Sequence, residues 1–245
     1  MLEFSDVTFA YTPDRGLLGA QLKIAPGETV GIVGGNGAGK STLLGLAADA
    51  LIPQIGHITL TLPETHSRLR RFRSATGIGY RRHVGYLTEV APVYSNMTVI
   101  RYLRFRARLH GISVIRAARR VREIMELCRL TAHRRELIGA LSMGLRRRVA
   151  LAEALVGRPA VLVLDDPFAG MDADIRSDFI RILGTLPKTS HILIGGHDPE
   201  LMASCCTRFV LLREGRIVSD RLTADAARRL LCPPTDAETA DKEDC

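Results

Sequence analysis

A chain of 245 residues, 46% of them hydrophobic, can bury a sizeable core and build one large α/β domain or a domain with a subdomain. The formal net charge of +8 admits an anionic partner, but the charge is almost all arginine without interleaved aromatics, so a solvated surface is favoured, the inner membrane leaflet comes second and nucleic acid last. No run approaches the roughly 18–20 uncharged apolar residues that span a bilayer, and five cysteines without a CxxC pair indicate reduced thiols rather than a disulfide framework or a zinc site.

Leu2-Glu3-Phe4-Ser5-Asp6-Val7-Thr8-Phe9 alternates as a half-buried strand does, and Leu17 to Ile24 reads as a second. With Glu3 and Asp6 where a signal sequence would be basic, the chain is expected in the cytoplasm. Pro26-Gly27-Glu28 turns the chain into the apolar run Thr29-Val30-Gly31-Ile32-Val33, a buried strand. Directly after it, Gly34-Gly35-Asn36-Gly37-Ala38-Gly39-Lys40-Ser41-Thr42 satisfies the phosphate-loop pattern. Glycines let successive N–H groups curl toward anionic oxygens, Lys40 reaches the outer phosphates, Ser41 offers a hydroxyl to Mg²⁺, and a helix starting near Lys40 adds its positive end.

His57 to Leu62 alternates again, whereas residues 63 to 82 are basic, Gly-containing and without a period, and read as a surface excursion. Residues 98 to 156 are rich in Leu, Ala, Arg and Glu with apolar positions recurring at three and four, a helical insert. Ala160-Val161-Leu162-Val163-Leu164 is a strand covered on both faces, His191-Ile192-Leu193-Ile194 repeats it, and a helix from about Asp174 to Leu186 lies between. Thr207 to Leu212 and Arg216 to Val218, joined at Glu214-Gly215, form a hairpin. The acidic stretch from Pro233 is expected to be disordered.

The phosphate loop is followed in order by Gly85-Tyr86-Leu87-Thr88-Glu89, Leu141-Ser142-Met143-Gly144-Leu145, Asp165-Asp166-Pro167, Gly170-Met171-Asp172 and Gly195-Gly196-His197. Asp165 ends a buried strand, where a carboxylate can bind Mg²⁺ directly or through water. Leu141-Ser142-Met143-Gly144-Leu145 opens a helix, so its N–H groups and the Ser142 hydroxyl either face an anion or simply cap the helix. Order and spacing together resemble the nucleotide-binding subunit of ATP-binding cassette (ABC) transporters over residues 2 to 220.

The resemblance implies an α/β fold: a P-loop NTPase (RecA-like) core with an antiparallel β subdomain and an inserted α-helical subdomain at about 90–155. The nucleotide-binding domain would span 1–232, with an acidic tail at 233–245. It further implies that ATP and Mg²⁺ bind at residues 34 to 42, with Tyr11 stacking on adenine, and that Ser41, Asp165 and Glu89 attend the metal. Asp166 matches the general base, usually glutamate, and His197 the histidine that contacts the γ-phosphate. Ser142, Met143 and Gly144 would face the ATP of the opposite subunit, with Met143 replacing a usual glycine, and Asp172 would lie at the dimer junction.

Glu89 stands where many members carry glutamine; the text through Tyr94, Met97-Thr98-Val99 and Tyr102-Leu103 looks most like the branch serving ABC-2 type exporters, where glutamate is familiar. The implied activity is ATP hydrolysis driving transport through a permease on a separate chain, at the inner face of the membrane, as a homodimer or with a paralogue. Two alternatives remain: a non-transport cassette ATPase in an assembly complex, and a slow-hydrolysing partner of a more active paralogue.

Overall fold

The computed structural model describes residues 1–12, 15–62, 70–72, 76–89, 92–171 and 173–231. Asp172, Cys232 and the acidic tail therefore lie outside the described residues. Among the described residues ten strands fall into two sheets. In the first, β1 (Leu2–Thr12) lies between β2 (Arg15–Ile24) and β4 (Ile55–Leu62), and β5 (Arg70–Phe72) follows at the edge, every pair antiparallel. Alternation along β1 turns Leu2 and Phe4 inward, and a register shift between Phe4 and Val7, where Asp6 has a positive φ of 49°, brings Val7 to the same face.

The second sheet has the order β10-β9-β3-β8-β7-β6, comprising β3 (Thr29–Val33), β6 (Val84–Leu87), β7 (Val161–Asp165), β8 (His191–Gly196), β9 (Arg208–Arg213) and β10 (Arg216–Leu222). All neighbours are parallel except the closing β9–β10 hairpin. Every residue of β3, β7 and β8 is buried. Continuous apolar runs of this kind suit strands covered on both faces. One face packs against the antiparallel sheet and α1 (Lys40–Ala47), the other against α5 (Met143–Val156) and α6 (Ala173–Gly184), so two apolar clusters meet at the central sheet.

The helical region contains α3 (Val99–Leu109), α4 (Val114–Leu127) and α5, joined by a 3₁₀ turn at Ile138–Ala140. The short α7 (Pro199–Met202) and the terminal α8 (Ala224–Leu231) pack together beside β9. Residues 63 to 82 are not wholly the surface excursion that their composition indicates. They include β5 and a turn of helix, α2 (Ile78–Arg81), whose Tyr80 is fully buried and donates its hydroxyl to the Ala47 carbonyl at 2.6 Å. Buried Asp49 holds that turn, accepting from Gly77 N–H and Arg81 Nε at 2.7 Å each. The signal was invisible locally because the partners, Ala47 at the end of α1 and Asp49 just after it, come from some thirty residues earlier.

The cluster at Arg146 to Arg148 is likewise not all solvated surface. Arg147 is buried, and Arg148 pairs at 2.9 Å with Asp178 of α6, itself buried and also paired with Arg129. Cys128, Cys205 and Cys206 are free thiols, and burial pushes Cys128 up to about 12.

His191, at the start of β8, is completely buried, places Nδ1 3.1 Å from the Ala25 carbonyl, and leaves Nε2 without a hydrogen-bond partner among the described residues. Burial lowers its pKa from 6.5 to about 4. Between those values the unfolded chain takes a proton that the folded one refuses, so stability is complete above 6.5 and falls as pH drops toward 4. The loss should reach at most about 3 kcal/mol. His191→Phe keeps a ring in the core, and the Ala25 carbonyl still accepts from Glu28 N–H. Urea unfolding across pH 4–7.5 should therefore show a smaller acid loss in His191→Phe than in the parent.

Candidate functional site

The strand order decides where the chemistry converges. Because β3 lies beside β8 and β8 beside β7, the loop after β3, the end of β7 and the residue after β8 meet at the carboxyl ends of three adjacent parallel strands. That is where open α/β sheets bind ligands.

The phosphate loop leaves β3 at Val33 and enters α1 at Lys40. Gly39, the residue before the helix, has φ 101°, a left-handed conformation that disfavours a side chain, and no side-chain cap claims the first N–H groups of α1. At Gly34 a Cβ would lie 2.5 Å from the Leu212 carbonyl, so the loop hugs the end of β9. Lys40 folds back to donate from Nζ to the carbonyls of Gly34 and Gly35 at 2.8 and 2.9 Å. Burial lowers its pKa, and the negative charge of Asp165, Asp166 and Glu89 opposes that shift.

Asp165, buried at the end of β7, is raised chiefly by burial and further by Glu89 and Asp166; a hydrogen bond from the Ser41 hydroxyl and the charge of Lys40 pull it back. Asp166 takes a positive φ of 42°, donates its N–H to the Gly195 carbonyl at 3.0 Å, and lies with Oδ2 3.4 Å from His197 Nδ1. Glu89 is exposed in the loop after β6. Lys40, Ser41, Glu89, Asp165, Asp166 and His197 thus share one locus.

A cavity of about 360 Å³ opens beside the loop, lined by Tyr11, Arg15, Gly16 and residues 37 to 42. Tyr11 is 56% exposed, with Phe9 edge-on to it at 4.9 Å. Packing against its own strand and presenting a ring to the cavity are both realised. Arg15 has no counterpart among the expected site residues; it pairs with Thr12 across the β1–β2 turn, and only that pairing puts its charge at the cavity wall.

Ser142, Met143 and Gly144 have no hydrogen bond to the phosphate loop among the described residues. Ser142 caps α5, its Oγ accepting from Leu145 N–H at 3.3 Å, and Met143 is 53% exposed. A Cβ on Gly144 would sit 2.2 Å from Ile175 Cδ1, so the absence of a side chain here serves close packing on α6. Arg147 of α5 reaches within 3.5 Å of the Thr88 carbonyl, next to Glu89. Composition alone gave no reason to separate Arg147 from its neighbours.

The donors suit a hard divalent cation: a hydroxyl at Ser41 and a carboxylate at Asp165 that burial and the like charge of Glu89 and Asp166 hold above its usual pKa, a cost that a cation would relieve. Among the described residues no three acidic, His or Cys side chains converge to cage a metal by themselves. An ion shared with phosphate oxygens fits better than a protein-only cage.

Residues 17–169 match the family model described as ABC transporter. The chain is 32% identical over 200 residues to a sulfate/thiosulfate import ATP-binding protein of Gloeobacter violaceus, covering 80% of this chain and 55% of that one. It is 31% identical over 220 residues to Nod factor export ATP-binding protein I of Burkholderia thailandensis, covering 89% and 70%. It therefore spans only part of the length of these curated relatives. A solved ATP-binding subunit of an ABC transporter superposes with a TM-score of 0.79 at 25% identity, covering 98% and 97% of the two chains. A dimeric bacterial ABC transporter cassette gives 0.77 at 20% identity, with 90% and 97% covered, a likeness of fold.

Lys40→Ala should weaken binding of a fluorescent ATP analogue by roughly 10- to 100-fold, the loss expected for a charge-assisted contact. Equilibrium titration reads this directly, and unchanged affinity would place the nucleotide elsewhere.

Proposed function

This chain belongs to the ABC transporter family, and on that footing we propose that it binds and hydrolyses ATP between two cassettes and so energises a permease carried on a separate chain. The observation that carries this reading is the phosphate loop, with Lys40 folded onto the Gly34 and Gly35 carbonyls, set beside the strand ends that carry Asp165 and the Asp166–His197 pair, while Ser142 to Gly144 stand apart at the start of α5. The helix start at Ser142 is left for a second subunit's nucleotide. A homodimer and a pairing with a paralogue fit this geometry equally.

In this reading the loop N–H groups and Lys40 hold the outer phosphates, Arg15 adds charge at the cavity wall, and Tyr11 stacks on adenine. Mg²⁺, held by Ser41 and Asp165 with Glu89 nearby, supplies charge neutralisation on the phosphates when bound. Asp166 takes the proton of the attacking water and His197, 3.4 Å away, orients that carboxylate and reaches toward the γ-phosphate. Asp172 belongs at the junction between the subunits.

Behind the Glu89 loop runs a groove of about 440 Å³, bounded by Tyr86, Thr88 and Pro92 on one side and by Arg106, Leu109 and Glu153 on the other. It suits a short element of the membrane partner, which would sense the site through Glu89 and Arg147. Among the described residues no helix is long and apolar enough to cross a membrane, in keeping with a peripheral subunit on the inner face. The relatives named above serve import in one case and export in the other. The stretch after Tyr86 inclines the reading toward ABC-2 type export, and the cargo is a property of the permease.

Asp166 favours one further reading, a subunit whose short carboxylate makes hydrolysis slow beside a more active paralogue. Asp166→Glu extends the side chain by about one C–C bond, roughly 1.5 Å, and a misplacement near 1 Å costs up to about a hundredfold in rate. Single-turnover hydrolysis should rise in Asp166→Glu; a fall would mean the strand end has adapted to aspartate. Asp166→Asn should trap an ATP-bound dimer on gel filtration, and a monomer there would sink the two-cassette reading.

Glu89→Ala should reduce stimulation of ATPase by the reconstituted permease more than it reduces ATP affinity, because Lys40, Ser41 and Asp165 still hold the nucleotide. Lost affinity with unchanged stimulation would make Glu89 a metal-site residue only.

A further inference from the structure

The surface between α3 and α4 has no role in ATP chemistry and is built unlike the rest. From Val99 to Arg122 the chain carries eight arginines and no Asp or Glu. Ion pairs engage Arg106 with Glu153, and Arg119 and Arg120 with Glu123, whereas Arg108 and Arg116 are exposed and have no ion pair among the described residues.

Between these two arginines the chain makes a tight connection, with Gly111 N–H bonded to the Arg108 carbonyl at 2.9 Å and Ile112 N–H to the Ala107 carbonyl at 3.1 Å. This connection displays Leu109, Val114 and Ile115, exposed by 60%, 62% and 87%. Three large apolar side chains within seven residues, flanked by unpaired arginines, are costly to leave in water. Among the described residues nothing covers them. Leu109 also forms the edge of the groove behind Glu89, so the connection borders the face assigned to the membrane partner.

We propose that the α3–α4 connection is a docking surface for an anionic lipid bilayer, its apolar tip entering the headgroup layer while the arginines bind lipid phosphates. The charge complementarity is one-sided, since no carboxylate in the segment would repel such a surface. Apolar residues at a basic tip supply the hydrophobic part of interfacial binding, and each arginine near an anionic leaflet adds to it. The permease reading enters only in setting which way the tip faces; binding to lipid needs neither permease nor ATP.

The test is co-sedimentation of the full chain with vesicles of phosphatidylcholine alone or mixed with phosphatidylglycerol, at physiological ionic strength. Binding should require phosphatidylglycerol and fall further as salt rises. R108E with R116E should lower the partition by at least about tenfold, and L109S with I115S should lower it as well. R134E with R135E makes the same charge change at the other end of α3, where Ile100 N–H bonds the Arg134 carbonyl, and should leave binding intact. ATP-analogue affinity in every variant reports on the fold and, separately, on the ATPase reading. Equal binding to both vesicles, binding to neither, equal losses in the control variant, or capture of polyglutamate without vesicle binding would each overturn the proposal, the last by showing an acidic protein surface instead.

Discussion

Desolvation of Lys40 is the constraint around which the site is built. An ammonium withdrawn from water is costly unless it is hydrogen-bonded and faces opposite charge. Here the carbonyls of Gly34 and Gly35 accept two of its three protons, and the charge of Asp165, Asp166 and Glu89 favours the ammonium form. The carboxylates depend on it in turn, because Asp165 is already raised by burial and by its acidic neighbours. Lys40 with its loop, Glu89 and the adjacent pair Asp165–Asp166 come from three separate segments of the chain. They meet because β3, β8 and β7 are adjacent and parallel, so three loops leave the sheet at one end.

A second constraint links the start of α5 to α6. Ile175 packs onto the bare Cα of Gly144, and close by the Arg148–Asp178 pair joins the same two helices, with Arg129 sharing the acid. The helix start that carries Ser142 is thereby fastened to the helix that follows Asp172. Packed atoms and a mostly buried acid tie the two elements together. Arg147 extends the connection to Thr88, beside Glu89.

Much of this was legible in the chain. The runs at β3, β7 and β8 could only be strands covered on both faces, and the loop between β3 and α1 carries its own geometric requirement for glycine. The alternation of β1 and the three-four spacing of the helical region were equally plain. What escaped was whatever depends on a distant partner. Tyr80 reads as part of a basic surface stretch until Ala47 is seen to accept its hydroxyl. Arg147 reads as one of three surface arginines until α5 is packed beside β6. Arg15 became a wall of the cavity only when β2 was paired with β1.

By itself the sequence determined the local elements and the kinds of groups present: a phosphate loop, a run of acidic strand ends and a helix start bearing Ser142. Backbone preference and hydrophobic period act over a few residues, so they can be read from a few residues. Tertiary structure alone decided which carboxylates act on the charge of Lys40, that Ile175 packs over Gly144, and that Ser142 makes no hydrogen bond to the phosphate loop among the described residues. Those outcomes depend on strand order and helix packing, where burial changes the free energy of every charge and no single segment contains the interacting pair.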